Sequence, residues 1–163
     1  MKLRDRPALW QQPTARLWAV ALIALAAVAA AVFTQQRWDM LPCPWCIVQR
    51  IVFLLIAAVA LMAALTHGLT RRVAGAAVLL LAACGIAAAL WQHFVAAASA
   101  SCKLTLADRI ISGIGLDSWW PEVFGVFATC ADAKVKLLGL PYEAFSAALF
   151  VLMAALAWPA LRR

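Results

Sequence analysis

Two cysteines separated by only two residues, Cys43 and Cys46, are the side chains in this sequence best suited to chemistry. A pair at this spacing closes a small disulfide ring, which is the arrangement used in thiol–disulfide exchange. The same spacing also occurs in zinc sites and by chance, so the surrounding sequence must decide between these interpretations. The pair stands directly before a long apolar segment, which puts it at the edge of a membrane.

Arg50 follows the second cysteine by four residues. If a helix begins near Cys46, the two side chains lie on one face, one turn apart. Cys46 then also lies at a helix N-terminus, where the helix dipole favours an anion. Both effects stabilise a thiolate, which is the nucleophile in exchange chemistry. The alternative is that Arg50 only extends to the membrane interface and anchors the helix there.

Three further cysteines are Cys84, in an apolar run, and Cys102 and Cys130, in one hydrophilic stretch. A disulfide between the last two would stabilise the fold by roughly 3–4 kcal/mol in the chain-entropy model. The residues alone leave open whether that bond is a structural link or a redox partner for the first pair. We predict no metal site, because thiolate ligands are disfavoured in an oxidising compartment and no histidine pair lies nearby. Cys84 is predicted to be a small packing residue between helices.

The composition shows that lipid is the natural solvent for most of this chain. Of its 163 residues, 67% are hydrophobic and 13% are charged, whereas a soluble domain is about half apolar and one-quarter charged. The length suits one domain. The net charge of +7 comes from basic residues at the ends of apolar segments, so it indicates membrane orientation and excludes nucleic-acid binding.

Four uncharged or nearly uncharged segments predict an all-α integral membrane protein, a bundle of four transmembrane helices in a single membrane domain. A cleaved signal peptide is the alternative for the first segment, because Ala29–Ala31 resembles a small-residue cleavage site. The predicted order is a tail 1–16, span 17–33, outer loop 34–46, span 47–65, inner loop 66–72, span 73–90, outer loop 91–143, span 144–160 and tail 161–163.

The distribution of charge predicts which side each loop faces. Eight Lys or Arg residues and one acid lie in the segments 1–16, 66–72 and 161–163, whereas the other two loops hold five basic residues and six acids. The positive-inside rule therefore places both termini in the cytoplasm. All cysteines except Cys84 then face the outer, oxidising compartment, which catalytic disulfides require.

The long outer loop is predicted to carry one short helix over residues 119–127, capped by Asp117 or Ser118. Its clustered Trp and Phe residues favour a position in the membrane interface, and packing on top of the bundle is the alternative. In either arrangement Cys130 is held near the membrane surface.

This combination of features resembles the DsbB family of bacterial inner-membrane disulfide bond formation proteins. The similar features are the four spans, the Cys43–Cys46 motif, Arg50, and the separated cysteine pair of the second outer loop. The segments 120–124, Cys130-Ala131 and 138–140 are also similar to the stretch around the last cysteine of the family. The resemblance covers nearly the whole chain.

The resemblance implies a relay of two disulfides. A DsbA-like periplasmic thiol oxidase would be reoxidised by a Cys102–Cys130 disulfide, with Cys102 forming the mixed disulfide. Electrons would pass to the Cys43–Cys46 pair, and Cys46 would reduce a membrane quinone, either ubiquinone or menaquinone. Arg50 would polarise the quinone and stabilise the thiolate. The implied location is the bacterial inner membrane, with the active cysteines facing the periplasm.

Two interpretations remain beside this one. A related four-helix enzyme could serve another partner, or a non-enzymatic membrane subunit could carry outer disulfides that are only structural. His93, at the outer end of the third span, is either a polar end-cap or a hydrogen-bond donor to a quinone carbonyl. The sequence carries no signal for an oligomeric state.

Overall fold

The computed structural model describes residues 12–98, 106–133, 135–137 and 139–161. Within these residues, four apolar helices of 20 to 29 residues are long enough to cross a membrane, since 20 helical residues extend about 30 Å. The prediction of an all-α, four-span membrane bundle is therefore confirmed. In chain order the elements are α1 (Pro13–Trp38), α2 (Pro44–Leu65), α3 (Gly68–Trp91), a π-helical turn (Gln92–Ala96), α4 (Leu106–Ile114), α5 (Leu116–Trp119), α6 (Pro121–Phe124), β1 (Lys136–Leu137), β2 (Leu140–Pro141), α7 (Tyr142–Ala157) and a 3-10 turn (Trp158–Leu161).

The start of α2 determines where the cysteine motif lies. Pro44 is the first residue of the helix, where its fixed φ suits the helix and its missing N–H is not needed. Cys43 is the N-cap, and its sulfur accepts the backbone N–H of Cys46 at 3.4 Å. Asp39, the C-cap that follows the last residue of α1, has a left-handed φ of 50°. This turn reverses the chain, so the short connection that follows returns directly to Cys43.

The bundle interior is closed by small residues and a pair of aromatic rings. Phe53 of α2 and Phe150 of α7 stack with their ring centroids 4.1 Å apart. A side chain at Gly85 of α3 would meet the Phe150 ring at 2.5 Å, so only glycine allows this close approach. The neighbouring Cys84 is exposed. The prediction that Cys84 packs between helices is therefore wrong, because the adjacent glycine occupies the inward-facing position.

The outer loop differs from the single short helix predicted for residues 119–127. The chain instead forms two single turns, α5 and α6, separated at Trp120, because Pro121 disfavours helical backbone in the residue before it. Helix α4, which was not predicted, precedes them. Val123 and Phe124 of α6 are buried, whereas Trp119 and Phe127 are exposed. The loop thus packs on the bundle through α6 and leaves aromatic side chains facing outward.

Candidate functional site

The Cys43–Cys46 motif forms the first turn of α2, with the two sulfur atoms 2.8 Å apart. Cys43 is fully buried, whereas Cys46 is partly exposed. The pair is therefore placed so that a disulfide can form with little movement of the backbone. Of these two cysteines, Cys46 is therefore the one that an approaching molecule can reach.

Cys130 lies against Cys43, although 87 positions separate them in the chain. The two cysteines and Ala96 form one buried cluster. Backbone hydrogen bonds fix this contact, because Phe127 and Ala128 donate their N–H groups to the carbonyl of Pro42 at 3.1 and 3.3 Å. The second outer loop is thus tied to the residue directly before the cysteine motif.

The pKa values of Cys43 and Cys130 are shifted in opposite directions. Hydrogen bonds to Cys130 and to Cys46, together with burial, raise the pKa of Cys43 far above its ordinary value. The same hydrogen bond from Cys43 lowers the pKa of Cys130, and a backbone hydrogen bond from Trp45 lowers it further. Of the two, Cys130 therefore ionises more readily, and Cys43 is the one that donates its proton in the hydrogen bond between them.

Arg50 is buried one turn below Cys46 and is held by three oxygen atoms. Its Nη1 donates to Oε1 of Gln35 at 2.9 Å and to the Val123 carbonyl at 2.8 Å. Its Nη2 donates to the Ala31 carbonyl at 3.3 Å. The side chain is only 5% exposed, so it is bonded inside the protein and does not extend to the interface. All three acceptors are neutral, so none of them cancels the guanidinium charge.

Two glutamines that the sequence analysis did not single out complete the surroundings of Cys46. Gln49 donates to Oε1 of Gln92 at 2.6 Å, and Nε2 of Gln92 points to the Cys46 sulfur at 3.4 Å. Both amides are buried. A signal for them was available, because polar side chains inside apolar membrane segments are costly and indicate functional positions.

A cavity of about 230 Å³ opens beside Cys46, between α1, α2 and α7. Its wall is mostly apolar, and its polar side chains lie towards the outer end of the bundle. This combination of an apolar wall with a few polar groups is typical of sites for small apolar ligands. The side chains relevant to chemistry are Thr34, Cys46, Gln49, Arg50, Gln92, Tyr142 and Glu143.

The remaining predicted site residues are placed differently. His93 is not among the residues that form the cavity wall. Its Nδ1 lies 2.8 Å from Oε1 of Glu143, and Glu143 does belong to the wall. Cys102 falls outside the described residues, so its predicted pairing with Cys130 stays a prediction. The structure thus brings together Cys43, Cys46, Cys130 and Arg50.

We expect Gln92→Leu to slow the alkylation of Cys46 at neutral pH by about tenfold, because a hydrogen bond to a charged group contributes roughly 1.5–3 kcal/mol. The measurement is the rate of iodoacetamide labelling of the reduced protein, resolved for each cysteine by mass spectrometry. Gln36→Leu, at an exposed position of α1, is the matched control. Equal labelling rates in the two variants would show that Gln92 does not stabilise the thiolate.

Comparison with known proteins adds evidence that is independent of this geometry. The family model for disulfide bond formation protein DsbB matches residues 13–160. Disulfide bond formation protein B of Pseudomonas syringae pv. tomato is 35% identical over 139 residues, covering 83% of this chain and 81% of that protein. Disulfide bond formation protein B 1 of Pseudomonas syringae pv. syringae is 33% identical over 137 residues, covering 83% and 81%. Disulfide bond formation protein B of Herminiimonas arsenicoxydans is 28% identical over 139 residues, covering 85% and 88%.

Proposed function

The chain belongs to the DsbB family of disulfide bond formation proteins, and we propose that it reoxidises a DsbA-like periplasmic partner and passes the electrons to a membrane quinone. Family membership implies thiol oxidoreductase activity, and the four candidate spans make the chain a multi-pass membrane protein. The partner, the acceptor and the residue roles given below are our proposals.

The proposed location is the bacterial inner membrane, with the cysteine cluster on the periplasmic side. The cluster lies at the end of the bundle where α2 begins and where α3 passes into its π-helical turn. The opposite end carries Arg71 and Arg72. Basic residues mark the cytoplasmic side, so the charge distribution supports this orientation.

The contact between Cys130 and Cys43 supports a route for electrons between the two disulfides. A reduced partner attacks the Cys102–Cys130 disulfide at Cys102, a role that rests on the family resemblance, and Cys130 leaves as a thiolate. Cys130 then attacks Cys43, so a bond forms between these two sulfurs while the Cys43–Cys46 bond breaks. The electron pair of the broken bond stays on Cys46, which becomes the thiolate facing the cavity. The second thiol of the partner then displaces Cys102 from the mixed disulfide, and Cys102 attacks Cys130, so the Cys102–Cys130 bond re-forms and Cys43 is freed.

The residues around the cavity fit a quinone head group. A quinone supplies a flat ring that accepts two electrons and two protons, and ubiquinone and menaquinone both have this chemistry. The apolar wall suits the ring, and the guanidinium of Arg50 can attract the electron-rich oxygen that develops during reduction. The same charge and the Gln92 amide stabilise the Cys46 thiolate.

The single observation that carries this proposal is that Cys46 lies at once within 2.8 Å of Cys43 and in the wall of an apolar cavity that holds a buried arginine. A purely structural disulfide would need neither the cavity nor the charge. The site is built for a thiolate that reacts with an apolar acceptor.

A single-turnover assay tests the proposal. The oxidised protein is mixed in detergent with a reduced DsbA-like protein and ubiquinone-1, and quinone absorbance and free thiols are followed together. We expect one quinone to be reduced for every two thiols oxidised. When quinone is omitted, oxidation of the partner's thiols should stop once the protein's own disulfides have been reduced. If the outer disulfides resist the reduced partner, the protein is a structural membrane subunit and not this oxidase.

A further inference from the structure

A carboxyl group in the cavity wall is linked to an imidazole at the outer surface. Glu143, in the first turn of α7, lines the cavity and its side chain is 11% exposed. Its Oε1 lies 2.8 Å from Nδ1 of His93, whose side chain is 45% exposed. The two residues therefore form a continuous polar connection from the periplasmic surface to the interior of the cavity.

The cavity needs such a connection if it reduces a quinone, because each quinol formed takes up two protons. Among the described residues of the cavity wall, most polar groups are unsuited to supply them. Arg50 does not lose its proton in proteins, and amides such as those of Gln49 and Gln92 do not exchange protons near neutral pH. A carboxyl group paired with an imidazole is the combination that transfers protons near neutral pH.

We propose that His93 and Glu143 form the proton path of this site: His93 takes protons from periplasmic water, and Glu143 passes them into the cavity. This proposal rests on the proposed function, since it assumes that the cavity binds the quinone. In one turnover the Cys43–Cys46 disulfide re-forms, two electrons leave the sulfurs for the acceptor, and two protons follow one after the other through Glu143. Two O–H bonds form, and the product is the quinol.

The charged and titratable groups that face Glu143 across the cavity are few. From α2 they are Cys46 and Arg50, and from α7 the only other one is Tyr142. The described wall residues of α1, and those at positions 133, 135 and 137, are apolar or hydroxyl-bearing. In each delivery the carboxylate of Glu143 takes up a proton from His93 and passes it into the cavity.

The first test separates proton delivery from thiol exchange. In Glu143→Gln, exchange between the reduced DsbA-like protein and the outer disulfides, measured without quinone, should proceed at the wild-type rate. Quinol formation in the single-turnover assay should be slower by about tenfold or more, since a positioned general acid contributes at least that much. The dissociation constant of ubiquinone-1, measured by quenching of tryptophan fluorescence, should be unchanged. Glu122→Gln, which makes the same change at an exposed carboxylate of α6, is the matched control.

The second test uses His93→Ala, because His93 is half-exposed and a small base can take its place. Quinol formation should slow in this variant and recover when imidazole is added, whereas Glu143→Gln should not respond to imidazole. A residue that only joined α3 to α7 would not be rescued in this way.

The outcomes distinguish this proposal from the one on which it rests. If the wild-type protein reduces no quinone, the proposed function fails. If the wild type reduces quinone and both variants do so at the wild-type rate, the proton path is wrong while the function stands. A rise in the quinone dissociation constant with an unchanged rate at saturation would make Glu143 a binding residue and would overturn the proposal. A loss of thiol exchange in both variants would overturn it as well.

Discussion

A Cys46→Ser variant is expected to lose quinone reduction by about 10⁴-fold or more, the scale of loss seen when an enzyme is deprived of its nucleophile. Cys46 is the cysteine of the motif whose sulfur lines the cavity, and a serine hydroxyl does not ionise near neutral pH. The first exchange, between the reduced partner and the Cys102–Cys130 disulfide, should survive, because it does not use Cys46. The measurement is the single-turnover assay, with quinone absorbance and free thiols followed together.

The variant should also accumulate a new covalent species. With no Cys46 sulfur to compete, Cys43 is expected to attack the Cys102–Cys130 disulfide at Cys130, so a Cys43–Cys130 disulfide forms while Cys102 leaves as a thiol. Peptide mapping under non-reducing conditions detects the new bond. Cys84→Ser is the matched control, since it makes the same change at an exposed position of α3 and should leave both measurements unaltered. Quinone reduction that persists in Cys46→Ser would show that another group donates the electrons.

An Arg50→Met variant is expected to lower the rate of quinone reduction by about 10²-fold, the effect typical of removing one group that stabilises developing charge. The same change should slow the alkylation of Cys46 at neutral pH, because the thiolate loses the stabilising charge of Arg50. The two readouts together locate the effect at the cavity. The measurements are single-turnover kinetics and cysteine-resolved labelling.

Two further variants separate the role of the charge from the role of the hydrogen bonds. Arg50→Met leaves the Val123 carbonyl without its donor, which costs roughly 1–3 kcal/mol of stability. Arg50→Lys keeps the charge but cannot reproduce three hydrogen bonds, so it should retain most of the labelling rate and lose part of the stability. Arg37→Met, at an exposed position on the same outer side, controls for loss of general surface charge. If Arg50→Met labels Cys46 as fast as Arg37→Met does, the guanidinium does not support the thiolate.

Apolar runs predicted the number and order of the spanning helices but not where each helix begins. An apolar run marks the residues that lipid can surround, whereas a helix begins where a cap and a favourable first turn exist. Helix α2 accordingly begins at Pro44, inside the segment assigned to the outer loop. The break at Trp120 has a similar local cause, because Pro121 disfavours helical backbone in the residue before it.

The site could be anticipated only where its residues are close in the chain. The four-residue spacing of Cys46 and Arg50 already predicts one shared helix face. The partners of Arg50, by contrast, are Gln35, Val123 and Ala31, and two of them contribute only backbone carbonyls. Every residue carries a backbone carbonyl, so the residue type does not indicate which carbonyl will accept a hydrogen bond.

The sequence by itself determined that this protein folds in lipid, that it forms four long apolar helices, and that a thiol pair stands near an arginine at the start of the second. Hydrophobicity, charge and helical periodicity are properties of neighbouring residues, so they can be taken directly from the chain. Only the tertiary structure decided that Cys130 lies on Cys43, that Gln92 is hydrogen-bonded to Cys46, and that Glu143 lines the cavity beside them. These contacts join helices and loops far apart in the chain, and they depend on how the helices pack against one another and how the outer loop is tied to Pro42.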